Sequence, residues 1–202
     1  MKNRKEEIIQ ATLELAAQNG LGTVSMQQIA DRVGITKASL YNHFSSRDEI
    51  VDAMYGSLRK ASKEKAAVGE IDPDKLTSGR SMKEILTGAV ASYRNMVSDP
   101  RMHLFYKIIL SQRSIEPAAA EIMVRETRTM INATKTMFYA MQVKGIADFH
   151  DVDAAAFSFA MGVHSILDYE FDISFSGAKA GKKMMKQYID EFCRIYAAEK
   201  DK

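Results

Sequence analysis

The chain has 202 residues, 46% of them apolar, and its 28 Lys and Arg against 26 Asp and Glu give a formal net charge of +2. This length allows one large or two small domains, and the charge balance by itself is too weak to identify a nucleic-acid-binding protein. The single cysteine, Cys193, excludes an internal disulfide, and no run of about 18 consecutive apolar residues occurs, so we expect a soluble cytoplasmic protein with no membrane contact.

The composition favours an all-α fold. Only three Pro and eleven Gly interrupt segments rich in Ala, Met, Lys and Glu, and no alternating β-branched run of useful length is present. We predict about nine helices. The first follows Asn3, which fits a capping box with Glu6, and contains the segment IIQATLELAAQNG.

Residues 25–44, SMQQIADRVGITKASLYNHF, predict two short helices joined by a tight turn. Ser25 and Gln28 fit a capping box that begins a helix at Met26. The apolar residues of this helix recur at spacings of three and four and share one face: Met26, Ile29, Ala30 and Val33. Gly34 can adopt the left-handed conformation that ends a helix, and Thr36 caps the next helix, from Lys37 to about Phe44.

The second of these helices has a polar outer face. Its apolar stripe is Leu40 and Phe44, which leaves outside Lys37, Ala38, Ser39, Tyr41, Asn42 and His43. No Asp or Glu occurs between Gly34 and Arg47, so nothing in this stretch repels phosphate. Arg47 begins a further helix behind a second predicted capping box, Ser46 with Glu49, and an arginine at a helix start suits an anion. The pattern indicates a DNA-binding helix-turn-helix, and the alternative is a pair of core helices in an arbitrary helical protein.

The stretch from about Lys5 to Met54 resembles the amino-terminal DNA-binding domain of the TetR family of transcriptional repressors. The phrase VSMQQIADRVGITKASLYNHFSSRDEI carries the resemblance, above all its Leu-Tyr-x-His-Phe core and the basic residue three after Phe44. The resemblance implies a homodimer with a three-helix helix-turn-helix domain at residues 1–50 and a larger helical effector-binding and dimerisation domain at 51–202. By position it implies phosphate contacts from Ser25, Thr36, Lys37, Tyr41, His43 and Arg47, and base contacts from Ala38, Ser39 and Asn42. Asn42 departs from the family pattern, which often has an aromatic residue there. Because Asn can pair bidentately with adenine, a different operator preference is expected.

The rest of the chain is divided by turn signals into six further helices. They are predicted at about 47–67, 82–98, 101–111, 117–144, 151–174 and 178–198, and residues 68–80 are predicted to form a loop.

The last two predicted helices have the features of an association surface. The first contains many small residues, and the second has an apolar stripe at spacings of three and four. Paired across a twofold axis they would form an intersubunit four-helix bundle, with an interface of Phe159, Gly162, Val163, Met185, Tyr188, Ile189 and Phe192. A dimer is also what a helix-turn-helix protein needs to read a palindromic operator, since its half-sites lie about 34–36 Å apart. The alternative is that both helices close the core of one subunit.

Thirteen methionines suggest an adaptable cavity for a hydrophobic or aromatic small-molecule effector. The predicted ligand-binding residues are Tyr93, Met96, Phe105, Met130, Met137 and His164. Plain filling of the core is the alternative for each methionine.

Catalytic and metal-binding patterns are missing. The four histidines are scattered, and neither HExxH nor a paired Cys/His spacing occurs, so we expect no enzyme, no metal and no cofactor. The predicted function is a sequence-specific DNA-binding transcriptional regulator, a repressor released from a palindromic operator by a small molecule. The alternatives are a constitutive DNA-binding protein without ligand control and a helical enzyme or sensor acting on a small molecule.

Overall fold

The computed structural model describes residues 3–65, 72–178 and 183–198. Within these ranges the chain forms ten α-helices and a short 3-10 helix, and no strand, which confirms the predicted all-α class. The helices are α1 Arg4–Asn19, α2 Met26–Val33, α3 Lys37–Tyr41, α4 Arg47–Lys65, α5 Pro73–Thr77, α6 Met82–Val97, α7 Pro100–Gln112, α8 Pro117–Val143, α9 Val152–Ser176 and α10 Met184–Tyr196, and the 3-10 helix is Leu21–Thr23. None of the helices in these ranges has both the length and the apolar character needed to cross a membrane.

The predicted count of about nine helices agrees with the ten in the described residues, and the additional helix is α5, which lies within the predicted loop over 68–80. The Asp72 side chain accepts hydrogen bonds from the backbone amides of Asp74 and Lys75 at 3.1 and 3.2 Å, and Pro73 occupies the first turn. An Asp cap followed by Pro is a favourable helix start. Residues 68–71 of that predicted loop lie outside the described residues. The last helix was predicted from 178, but Ala178 is not helical and α10 is described from Met184.

The chain folds as two compact units, and each is assembled from two stretches of sequence. The first comprises residues 1–68 and 95–126, and the second comprises 69–94 and 127–202. The segment predicted to bind DNA, 1–50, therefore lies wholly within the first unit.

The core of the first unit joins α1–α4 to α7 and the start of α8. Leu40 and Phe44, the predicted stripe behind α3, are 0% and 3% exposed in this core. Phe105 and Ile109 of α7 are both 0% exposed in the same cluster. The helix-turn-helix thus shares one continuous apolar core with α7. Burial of this shared surface stabilises all of these helices together.

The core of the second unit is rich in aromatic rings. Phe138 on α8 stacks on Phe149 with ring centroids 4.6 Å apart and planes 6° apart. Phe159 on α9 and Phe192 on α10 meet edge to face at 5.0 Å. Such offset and edge-on pairs are the preferred aromatic geometries, so α8, α9 and α10 are packed together within one subunit.

Candidate nucleic-acid interface

The turn between α2 and α3 has the geometry that its sequence predicts. Ser25 Oγ accepts from the Gln28 amide at 3.3 Å, while Gln28 Oε1 accepts from the Ser25 amide at 2.8 Å, which completes the capping box. Gly34 ends α2 in the left-handed region with φ 74° and ψ 37°. The Ile35 amide then donates to the Ala30 carbonyl at 3.0 Å. The glycine is needed because an L side chain is disfavoured at this φ.

Helix α3 is shorter than predicted. Thr36 caps it as expected, accepting from the Ser39 amide at 3.1 Å, but the helix ends at Tyr41 rather than near Phe44. The His43 amide donates to the Leu40 carbonyl at 2.9 Å, a tightened i to i−3 bond that ends the regular helix. Phe44 can then enter the core beneath α3.

The residues predicted to contact DNA lie on the outside of the first unit. Ser25, Thr36, Lys37, Ala38, Tyr41 and Asn42 are exposed, and Ser39 and His43 are partly exposed. Tyr41 is 48% exposed although it is a large aromatic residue. A polar face with one exposed aromatic hydroxyl and one lysine is suited to phosphate oxygens and base edges.

The second predicted capping box is displaced by one residue. Ser46 Oγ accepts from the Glu49 amide at 3.1 Å, as predicted. The Glu49 carboxylate, however, accepts from the side chain and amide of Ser45 at 2.7 and 2.6 Å rather than from Ser46. These hydrogen bonds from Ser45 lower the pKa of Glu49 because they favour the charged carboxylate.

Arg47 is occupied within the protein. Its Nη2 donates to Glu116 Oε2 at 2.7 Å and its Nη1 donates to the Leu21 carbonyl at 3.3 Å. Asp48 Oδ1 accepts from both Nε and Nη2 at 3.2 Å. No local sequence pattern identifies Glu116 as the partner of Arg47, because the two residues are 69 positions apart.

The structure buries most of the predicted dimer residues inside one subunit. Phe159, Val163, Met185, Ile189 and Phe192 are 3–7% exposed in the core of the second unit. The small residue Gly162 makes room for Tyr188 of the same chain, since a Cβ at this position would lie 2.3 Å from the Tyr188 hydroxyl. Tyr188 is held there by a 3.0 Å hydrogen bond to the Ser158 carbonyl. A dimer built on α9 and α10 would therefore have to use their outward faces.

The predicted ligand-binding residues are divided between the two units. Met96 and Phe105 belong to the first, and Tyr93, Met130, Met137 and His164 belong to the second. Phe105 and Met137 are 0% and 4% exposed in the cores of their own units, which supports core filling for these two. His164 Nε2 lies 3.6 Å from Asp168 Oδ2, one turn along α9.

Two protein-family models match the chain. The model for bacterial regulatory proteins of the tetR family matches residues 8–54, and the model for the AefR-like transcriptional repressor C-terminal domain matches residues 84–198. Together they cover both compact units. Both families contain regulators, so the enzyme alternative is not supported.

Individual relatives agree with these matches. Over 54 residues the chain is 35% identical to the HTH-type transcriptional repressor KstR2 of Mycobacterium tuberculosis, a match covering 27% of each chain. The chain therefore spans about a quarter of the length of that relative. It is 22% identical over 166 residues to the probable HTH-type transcriptional regulator ArpR of Pseudomonas putida, which covers 79% of this chain and 77% of that one.

Solved structures share the fold over nearly the whole chain. The flavonoid-responsive regulator FrrA superposes with a TM-score of 0.72 at 19% identity, covering 97% of this chain and 98% of its own. SmeT in its triclosan complex superposes with a TM-score of 0.70 at 15% identity, covering 97% and 92%. The helix-turn-helix geometry, the two family matches and this shared fold lead to one conclusion: the chain belongs to the TetR family of bacterial transcriptional regulators.

Proposed function

We propose that the protein is a sequence-specific repressor that binds a palindromic DNA operator as a homodimer and is released by a small aromatic effector. The observation that carries this proposal is α3, whose polar face is exposed while Leu40 behind it is fully buried. A helix anchored in this way can enter the major groove without disturbing the core. Because the proposed partner is DNA, the proposal also places the protein in the cytoplasm.

The proposed DNA contacts divide by their position on the motif. Lys37 and Tyr41, with Ser25, Thr36 and His43, would donate to phosphate oxygens, which position the protein but carry no sequence information. Asn42, with Ala38 and Ser39, would lie nearest the base edges. Asn is suited to adenine because its amide matches the donor and acceptor of the adenine edge.

The DNA proposal is tested with a palindromic duplex selected by the wild-type protein from a random pool. Tyr41→Ala should weaken binding to the selected duplex and to random duplexes alike, whereas Asn42→Ala should relax the preference at one base position by about 1–3 kcal/mol. Lys37→Ala should make the slope of log K against log salt less steep, and Lys60→Ala, at an exposed position of α4, provides a control that removes the same charge elsewhere. Equal effects of Lys37→Ala and Lys60→Ala would contradict the proposed interface.

The proposed dimer uses apolar side chains that one subunit leaves exposed on α9 and α10. These are Phe157 and Tyr169 on α9 and Met184 and Ile195 on α10, which are 39–53% exposed. Burial of such side chains against a second copy would remove their apolar area from water. Ile195→Asp should give monomers in sedimentation, and Val143→Asp on α8, where Val143 is 81% exposed, is the matched control. If Ile195→Asp remains a dimer, the interface lies elsewhere.

The proposed effector is an aromatic compound. Support comes from FrrA, described as flavonoid-responsive, and from SmeT, solved with triclosan, because both compounds are aromatic. Release would follow if the effector binds a DNA-incompetent arrangement more tightly, and a shift from 1:99 to 99:1 requires about 5.5 kcal/mol of differential binding. A thermal-shift screen of flavonoids and chlorinated phenols, followed by operator binding with each hit, tests this. Hits that stabilise the protein but leave operator affinity unchanged would favour the constitutive alternative.

A further inference from the structure

Arg47, at the first position of α4, connects three segments of the first unit. Its guanidinium contacts the 3-10 helix through the Leu21 carbonyl, its own neighbour Asp48, and Glu116 at the entrance to α8. We infer that Arg47 is a positioning residue held by Glu116 rather than a phosphate contact, and that Glu116 is therefore required for operator binding. This inference rests on the proposed DNA-binding function.

Most of the N–H groups of the Arg47 guanidinium already donate hydrogen bonds within the protein. A guanidinium has five N–H groups, and four hydrogen bonds are made to acceptors of this chain, by Nε, Nη1 and twice by Nη2. A phosphate would have to compete with a Glu116 carboxylate already 2.7 Å from Nη2. Such charge-assisted bonds are about twice as strong as neutral ones.

The local charge also opposes a phosphate. Glu116 and Asp48 place two carboxylates against one guanidinium, so the cluster has one more negative charge than positive. The side chains of Arg47 and Glu116 are only 24% and 18% exposed, and water therefore screens the pair less than a surface ion pair. The sequence between Gly34 and Arg47 lacks Asp and Glu, but in the folded chain Arg47 at its end lies against the carboxylates of Asp48 and Glu116.

The position of the pair explains how it would affect α3. Arg47 lies three residues after Phe44, whose ring is buried beneath α3. On the other side, Glu116 packs over Gly22 so closely that a Cβ there would come within 2.9 Å of Glu116 Oε1. The pair therefore holds the start of α4, the 3-10 helix and the entrance to α8 in one arrangement, and through Phe44 the end of α3.

The two interpretations of Arg47 predict opposite changes in operator affinity for the Glu116→Gln variant. If Glu116 holds Arg47 in place, Glu116→Gln weakens binding to the selected palindromic duplex, on the order of tenfold for coupled neighbours. If Arg47 binds phosphate, removing its competing carboxylate frees the guanidinium and strengthens binding. Thermal unfolding monitored by circular dichroism shows whether each variant is folded at the assay temperature.

A double-mutant cycle and the salt slope give a second readout. Arg47→Ala, Glu116→Ala and the double variant should lower operator affinity to a similar extent, because either change breaks the same pair. Arg47→Ala should leave the slope of log K against log salt unchanged. Lys37→Ala, the reference, should reduce the steepness of this slope by about 0.9 for each phosphate that the protein no longer neutralises.

Gly22→Ala perturbs the pair without touching either charge. Its Cβ would displace the Glu116 carboxylate, so operator affinity should fall, and it should fall no further when Gly22→Ala is added to Glu116→Ala. The inference is overturned if the Glu116→Gln variant binds the operator as tightly as the wild-type protein or more tightly. It is also overturned if the losses of operator affinity caused by Arg47→Ala and Glu116→Ala are additive in the double variant, or if Arg47→Ala makes the slope of log K against log salt less steep. If the wild-type protein selects no duplex, the proposed DNA-binding function itself fails.

Discussion

The ion pair between Arg59 on α4 and Glu126 on α8 allows a stability prediction from burial alone. Its side chains are 14% and 2% exposed, and Tyr55 Oη donates to Glu126 Oε2 at 2.6 Å. Burial, followed by the hydrogen bond to Glu126, raises the pKa of Tyr55. Burial alone would lower the pKa of Arg59, but the charge of Glu126, the Tyr55 hydroxyl and the hydrogen bond to Glu126 together outweigh it and raise this pKa. The network thus favours a charged arginine beside a carboxylate in an environment with little water.

Arg59→Met removes the guanidinium and leaves the Glu126 carboxylate buried without it. Breaking a buried pair from one side costs about 3–5 kcal/mol. We expect the lower end of this range because the Tyr55 hydroxyl can still donate to the Glu126 carboxylate after the substitution. For a chain of this size about 3 kcal/mol corresponds to a fall in Tm of roughly 6–12 °C. Urea unfolding followed by far-ultraviolet circular dichroism measures the difference.

Two comparisons make this measurement decisive. Lys60→Met breaks the exposed Lys60–Glu64 pair on the same helix, with side chains 79% and 68% exposed, and should change stability little. Replacing the whole network, with Arg59→Met, Glu126→Leu and Tyr55→Phe together, should recover most of the stability, since no buried charge or hydroxyl then lacks a partner. The reasoning is refuted if Arg59→Met costs no more than Lys60→Met.

Two further predictions concern Gly162, with Gly56 of the first unit as its comparison, and Cys193. Gly162→Ala should force the Tyr188 ring out of its site and cost about 1–3 kcal/mol as overpacking, whereas Gly56→Ala, with open space around its position in α4, should stabilise by up to about 1 kcal/mol. Urea unfolding of both variants checks the contrast, and equal effects would contradict it. Burial raises the pKa of the Cys193 thiol to about 11, so the thiol should react with iodoacetamide more slowly than free cysteine at pH 8 and speed up towards pH 11. Because the folded pKa lies above the unfolded one, the stability contributed by the neutral thiol should be present below about pH 9 and lost as the pH rises to 11. A normal thiol titration in the folded protein would refute the assignment.

Local sequence signals predicted the helix-turn-helix well because its geometry is encoded locally. The capping box of Ser25 and Gln28, the left-handed Gly34 and the Thr36 cap all involve partners within three or four residues. The apolar stripe of α2 was also predicted correctly, since periodicity reports which face is buried. The same rules could have found α5, because Asp72-Pro73 is the same kind of start as Asp99-Pro100 at α7.

Such local signals could not predict interactions between residues that are far apart in the sequence. Arg47 and Glu116 are 69 residues apart, and Arg59 and Glu126 are 67 apart. Both pairs connect α4 to the start of α8, and which acid meets which base depends on how these helices pack. The sequence could therefore identify Arg47 as a cation at a helix start but could not identify its partner.

The small and apolar residues of α9 and α10 illustrate why an amphipathic stripe alone does not identify an interface. A stripe reports only that a face is buried, and the same periodicity serves a contact within one chain or between two copies. At Gly162 the space beside the glycine is occupied by the Tyr188 ring of the same chain, which supports a contact within one chain at this position. The proposed dimer would therefore use side chains left exposed after this packing, such as Ile195 and Met184. For this reason a charge at Phe192, buried against Phe159, would test the fold of one subunit, whereas a charge at Ile195 tests its association.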